Sequence, residues 1–284
     1  MTTFSDIVKK IDSLPPLSHV VMQIQKLYEE GSENVNVLKL IRLIESDATL
    51  TADVLKFVNA PKYGFSKKIA SVSQAVTLLG TEIIYGLVVE HAMYERLETD
   101  PSPYGITTLQ FNDMCRLQSA LMFQWYSMID LRDAQFLSPL ALIMEIGKLI
   151  LSKEIKESAY AAQFRRGLAQ TSDVSKYEYE LFETTSYYVS ALLFEHWNLE
   201  STFVEILKRM DFEAEESVEC LERVEYFRDL LDVIRTAVSV KGILTHTSID
   251  KAAALVKEIG LSEETFLHVA KRLKRHYEQS KGLA

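Results

Sequence analysis

The chain has 284 residues, 48% of them hydrophobic and 25% charged, with only 10 glycines and 6 prolines. That length and apolar content suffice for a sizeable core, organised as one large or two ordinary domains. A formal net charge of -9 argues against a duplex nucleic-acid partner, because such binding relies on cationic side chains displacing counterions from phosphates.

Helical spacing runs through almost the whole chain. Val20, Ile24, Leu27 and Tyr28 make one apolar stripe, and Val37, Leu40, Ile41 and Ile44 make the next. Asp47 can accept hydrogen bonds from the free amides of a helix whose apolar residues Leu50, Val54, Phe57 and Val58 share one face, with Asn59 at its end. Ser71 with Gln74 reads as a capping box, Val72, Ala75, Val76 and Leu79 follow as an inward stripe, and Gly80 supplies the stop. Ile84, Leu87, Val88 and Ala92 continue the pattern. His91 extends that stripe and reads as a hydrogen-bonded core imidazole, since ligation needs several convergent partners.

The segment Thr99 to Ile106 gathers two prolines and a glycine. It divides an N-terminal helical subdomain, residues 1–105, from a C-terminal one, residues 106–284, and its shortness predicts that the two pack together. Ser138 to Leu151 predicts a central helix, apolar nearly all round except for the narrow line Ala141, Glu145, Lys148 and Ser152. Glu216, Glu219, Glu222 and Glu225 recur every three residues beside the apolar positions Val224, Phe227, Leu231, Ile234 and Val238. Both patterns predict one long helix ending near Gly242, its glutamate row solvated. Near the end Lys271, Arg272, Lys274, Arg275 and Lys281 accompany a core-facing stripe of Phe266, Val269, Ala270, Leu273 and Tyr277. Sustained period-two alternation is absent, so the predicted fold class is all-α.

Cys115 and Cys220 lie far apart and read as reduced, buried thiols. The six histidines form no His-x-x-x-His or His-Asp pair, and there is no glycine-rich phosphate loop or Gly-x-Ser-x-Gly elbow. No apolar run approaches the roughly 20 residues needed to cross a bilayer, and the first residues show neither a basic segment nor an apolar signal core. A cytoplasmic location without membrane attachment is the expectation.

Leu14-Pro15-Pro16-Leu17, Asp47 with Leu50-Thr51, Asn59, Tyr63-Gly64 and the paired leucines before Gly80 together resemble the HD-related output domain (HDOD) family of bacterial signalling proteins. The chain departs from the family pattern at Ala48, where a proline commonly follows the aspartate, and at Ala60, where a serine commonly follows the asparagine. The resemblance covers roughly residues 14 to 210 and implies a helical N-terminal part packed on a degenerate HD-like part. It also aligns Glu145-Ile146-Gly147-Lys148 with the segment around the His-Asp pair of HD phosphohydrolases. That pair helps hold metals which activate water against phosphate esters. The histidine position then carries Met144 and the aspartate position Glu145. Other ligand positions fall near Gln118-Ser119, Thr185-Ser186, Arg209-Met210 and Ala237, with Asp232 about a turn early. A thioether is a poor ligand for such metals, and one glutamate with one displaced aspartate does not make a binuclear site.

The leading expectation is therefore a non-enzymatic signalling module that binds another protein, with no catalytic residues, metal or cofactor, and with homo-oligomerisation open. Candidate contacts are Asp47, Asn59, Tyr63, Glu145 and Lys148. Each has a plainer role: Asp47 as a helix cap, Asn59 as a helix-end residue, Tyr63 as a half-buried packing residue, and Glu145 with Lys148 as an i,i+3 ion pair. The alternatives are a metal-dependent phosphohydrolase acting on a nucleotide or cyclic dinucleotide, and a nucleotide sensor without turnover whose basic cleft includes Lys148 and Arg209.

Overall fold

A computed structural model describes residues 4–29, 31, 34–60, 68–158, 161–211 and 221–282. The first helices begin where polar side chains satisfy free amides. Helix α1 (Phe4–Asp12) buries Ile7 and Ile11; α2 (His19–Gln25) starts at Ser18, and α3 (Val37–Glu45) at Asn36, whose Oδ1 accepts from Lys39 N at 3.0 Å. In α4 (Ala48–Val58) Asp47 Oδ1 takes both Thr49 N at 2.9 Å and Leu50 N at 3.0 Å, and Leu50, Val54, Phe57 and Val58 are buried as their spacing predicts. Ser71 caps α5 (Val72–Leu79), while Gln74 reaches back to Ala70 N at 2.9 Å. Gly80 N closes that helix on Val76 O.

Helix α6 (Thr81–Arg96) is buried along most of its length and packs on α2, α4 and α5. His91 is the hydrogen-bonded imidazole that its stripe predicts, with Nδ1 2.8 Å from Asp53 Oδ2 of α4. A 3-10 turn, Ser102–Tyr104, then leads to α7 (Thr108–Tyr126), opened by the Thr107–Gln110 capping box. Helix α8 (Leu131–Ile143) folds back along α7 and crosses α6 so closely that a Cβ on Gly86 would lie 2.7 Å from Pro139 Cβ.

The remaining elements are α9 (Gly147–Glu157), α10 (Ala161–Gln170), α11 (Val174–Phe182), α12 (Ser186–His196), α13 (Ser201–Lys208), α14 (Leu221–Ala237), α15 (His246–Glu258) and α16 (Glu263–Ser280). Phe266, Val269, Ala270 and Leu273 of α16 face the core, so its basic residues accompany a packed helix. Cys115 is a buried free thiol, and Cys220 lies outside the described residues.

Three sequence expectations need correction. The helix expected to end near Gly242 ends at Ala237. There Leu244 N bonds to Ala237 O, and a two-residue hairpin, β1 (Val238–Ser239) with β2 (Gly242–Ile243), pairs Val238 with Ile243. Glu216 and Glu219 of its glutamate row lie outside the described residues. The helix expected over Ser138 to Leu151 is interrupted at residues 144–146. Finally, the stretch Leu131–Glu157 is long and apolar enough to cross a membrane by composition alone, but 89% of its most apolar window is buried inside the protein. Its apolarity is satisfied by α6, α7 and α12.

Candidate functional site

The interruption between α8 and α9 creates the site. Across it the backbone changes from α-type to i→i−3 bonding, with Ile146 N on Ile143 O, Lys148 N on Glu145 O and Leu149 N on Ile146 O. Ser190 of α12 fills the gap: Gly147 N donates to its Oγ at 2.8 Å, and that hydroxyl lies 2.8 Å from Met144 O. The approach is so close that a Cβ at position 147 would sit 2.0 Å from Ser186 O. Glycine is required there by space. The break turns Glu145 and Lys148 together into the interior, where they are 1% and 4% exposed.

Both charges are met. Glu145 Oε1 accepts from Gln118 Nε2 of α7 at 2.9 Å and from the Tyr187 hydroxyl of α12 at 2.7 Å, while Oε2 lies 2.5 Å from Lys148 Nζ. Lys148 Nζ also donates to Ser186 Oγ at 2.8 Å and sits 4.6 Å above the Tyr187 ring. Behind it, Glu178 of α11 accepts from the Tyr104 hydroxyl and from Ser186 N, each at 2.6 Å. Gln118 Nε2 also donates to Val238 O at 2.8 Å, which ties the cluster to the hairpin after α14.

Burial pushes the Glu145 carboxyl up, but Lys148, Gln118 and Tyr187 outweigh it and hold it below the usual carboxylate range. Burial likewise pulls Lys148 down, and the Glu145 and Glu178 carboxylates more than reverse that. Glu178 is raised, since burial dominates and one ammonium cannot fully serve two carboxylates. The i,i+3 ion pair expected from the sequence forms, but it is desolvated and its partners depend on each other.

On the outer side, Arg235 of α14 stacks 4.9 Å from the Tyr187 ring and pairs with Asp211 at 2.7 Å and Asp232 at 2.5 Å. These groups belong to a cleft of about 450 Å³ that Lys176, Arg209 and Arg228 also line. Arg209 therefore lies at the cleft, but Lys148 is buried beneath it and is not part of its wall. Arg209 pairs with Glu225 at 3.4 Å, and Arg228 with Glu225 at 2.5 Å and Asp229 at 2.8 Å.

These residues do not fit a hydrolytic metal centre. The groups closing on Glu145 are an amide nitrogen, a phenol hydroxyl and an ammonium, all donors, and a divalent cation needs acceptors in their place. Met144, at the histidine position, is fully buried in the core. Among the described residues no three His, Cys, Asp or Glu side chains converge as a metal-binding group.

The remaining candidates lie apart from this cluster. Asp47 caps α4. Asn59 holds the chain beyond α4, with Nδ2 donating to Leu55 O and Ile69 O and Oδ1 accepting from Ile69 N, each at 2.8 Å. Neither shares a hydrogen bond with Glu145 or Lys148. Tyr63 falls outside the described residues. Sequence reasoning missed Tyr104, Glu178, Tyr187, Asp211 and Arg235. Only Glu178 left a signal, a carboxylate set among the inward positions Val174, Tyr177 and Leu181 of α11.

The family profile of the HDOD domain matches residues 14–211. The chain belongs to the HDOD family. Among solved structures, this HDOD protein is similar over 98% of both chains to a Shewanella amazonensis SB2B protein whose name classes it with the phosphohydrolases, with a TM-score of 0.70 at 17% identity. A Marinobacter aquaeolei VT8 protein, named for signal transduction, matches with a TM-score of 0.69 at 20% identity, over 98% of this chain and 64% of that one. Likeness at such identity concerns the fold. A Treponema pallidum (strain Nichols) protein is 30% identical over 84 residues, or 30% of this chain. The match spans only 16% of that curated relative's length.

Proposed function

We propose that this HDOD protein is a cytoplasmic signalling module that works by binding a protein partner and does not hydrolyse phosphate esters. The observation that carries this reading is the closed Gln118–Glu145–Lys148–Tyr187 cluster, built around the glutamate that the family resemblance aligns with the aspartate of the HD hydrolase pair. A carboxylate already committed to an ammonium and two hydrogen-bond donors has little left to offer a cation. Exposed apolar side chains at the corner between α7 and α8, Met128, Ile129 and Leu131, offer surface for a partner.

The test combines turnover with metal analysis. Purified protein, supplied with manganese, iron or zinc, should leave bis-p-nitrophenyl phosphate and cyclic dinucleotides intact and should retain no stoichiometric metal. Turnover that depends on Glu145 would establish the phosphohydrolase reading instead.

A second reading, a nucleotide sensor without turnover, draws on the outer cleft, where Lys176, Arg209, Arg228 and Arg235 stand against Asp173, Asp211 and Asp232. Calorimetry with a nucleotide panel tests it, and heat lost in an R209Q variant would favour it.

A further inference from the structure

A cavity of about 680 Å³ lies away from this cluster, between α2, α6, α8 and the corner joining α12 to α13. Its wall is fixed by long-range hydrogen bonds. Trp197 Nε1 donates to Pro15 O at 3.2 Å, His196 Nε2 is 3.0 Å from Leu14 O, and Gln25 Nε2 donates to Trp197 O at 3.0 Å. The Leu14-Pro15-Pro16-Leu17 segment thus serves as one side of a pre-formed pocket, whose volume lies in the range of about 300–1,000 Å³ that small ligands occupy.

The lining is aromatic and acidic. Tyr28 stacks on Tyr85 with ring centroids 4.3 Å apart, Phe136 meets Phe203 at 5.0 Å, and Trp197 closes the side. Three carboxylates, Glu29, Glu82 and Glu200, belong to the lining, with Lys26 as its lone lysine or arginine among the described residues. Glu82 accepts from its neighbour Thr81, and Glu200 caps α13 through Thr202, so neither meets a cation there. No ion pair engages any of the three among the described residues.

We propose that this cavity binds a small organic cation, an amine or guanidinium group carried on a short apolar body. The aromatic rings attract a cation through their faces and shield its apolar part, and the carboxylates supply the opposite charge. A phosphate or nucleotide would instead meet three like charges. The same chemistry could arrive as a free amine or as a lysine or arginine side chain of a partner. This inference is independent of the proposed lack of turnover: either can fail alone.

The test uses the full chain in calorimetry and in NMR that follows the Trp197 indole N–H. Spermidine, agmatine and a capped arginine dipeptide are the probes, with AMP and inorganic phosphate as anionic controls. The expected result is saturable binding of at least one cation that shifts the Trp197 signal and weakens as salt rises. Substitution E82Q should weaken it about fivefold, and K26Q, an exposed change that spares the fold, should tighten it by a similar factor. Binding of the dipeptide alone would point to a partner's side chain as the source, and binding of the free amines to a metabolite. No heat and no Trp197 shift with any cation, equal binding of the anions, or affinities untouched by both E82Q and K26Q would overturn the proposal.

Discussion

The cluster around Glu145 and the cavity beside Trp197 handle charge in opposite ways. In the cluster the Glu145 and Lys148 charges have been moved out of water and answered by other side chains. In the cavity the carboxylates keep contact with solvent and, among the described residues, form no ion pair, while the space beside them stays open. Charge consumed in holding helices together is unavailable for recognition, whereas charge left at an open aromatic wall is free to select a ligand.

Removing one member of the inner pair should break the comparison most severely. K148M leaves Glu145 as a buried, uncompensated carboxylate and should cost about 3–5 kcal/mol in urea unfolding. The double variant E145M/K148M should recover part of that loss, because the Glu145 charge leaves with its partner and only Glu178 is deprived of the ammonium.

Titration removes the same charges one at a time. The Glu145 carboxyl is held low, so its stabilisation is complete above the unfolded glutamate value of about 4.3 and fades as pH falls through the lower folded value. Lys148 is held high; its contribution is complete below about 10.4 and is lost as pH rises past that. Glu178, which is raised, favours the fold below about 4.3 and loses that contribution as pH rises through its folded value, so it softens the acid limb. Urea midpoints measured across pH should show a neutral plateau falling at both ends, and E145M/K148M should flatten both limbs.

Smaller effects sharpen the contrast. Y187F deletes one donor to an ionised carboxylate and should cost about 1.5–3 kcal/mol by thermal unfolding. D47A removes the cap of α4 and should cost about 1 kcal/mol by the same measurement. E82Q, in the first turn of α6, should change stability by less than about 1 kcal/mol while altering cation binding.

What the sequence revealed depended on distance along the chain. Asp47, Ser71 and Gly80 act on amides and carbonyls within a few residues, so their roles could be read locally. The inward faces of α4 and α16 followed from periodicity alone. The break at residues 144–146 could not be read, because Ser190, far along the chain, supplies the bonds that make it tolerable. The early end of α14 has the same origin: Gln118 holds the Val238 carbonyl, and Leu244 returns to Ala237. Glu145 and Lys148 were recognised as a pair, but their burial depends on Tyr187, Ser186 and Gln118, which no local pattern joins to them.

The absent side chain at Gly147 also works as a spacing gauge for comparing related proteins. Any relative with alanine or a larger residue at the matching position must hold the starts of the two corresponding helices farther apart than the 2.0 Å clash at Ser186 O permits. Its lysine would then have to reach across a wider gap to find a serine hydroxyl. One letter in an alignment would thus separate chains that can seal this interior from chains that must leave it ajar.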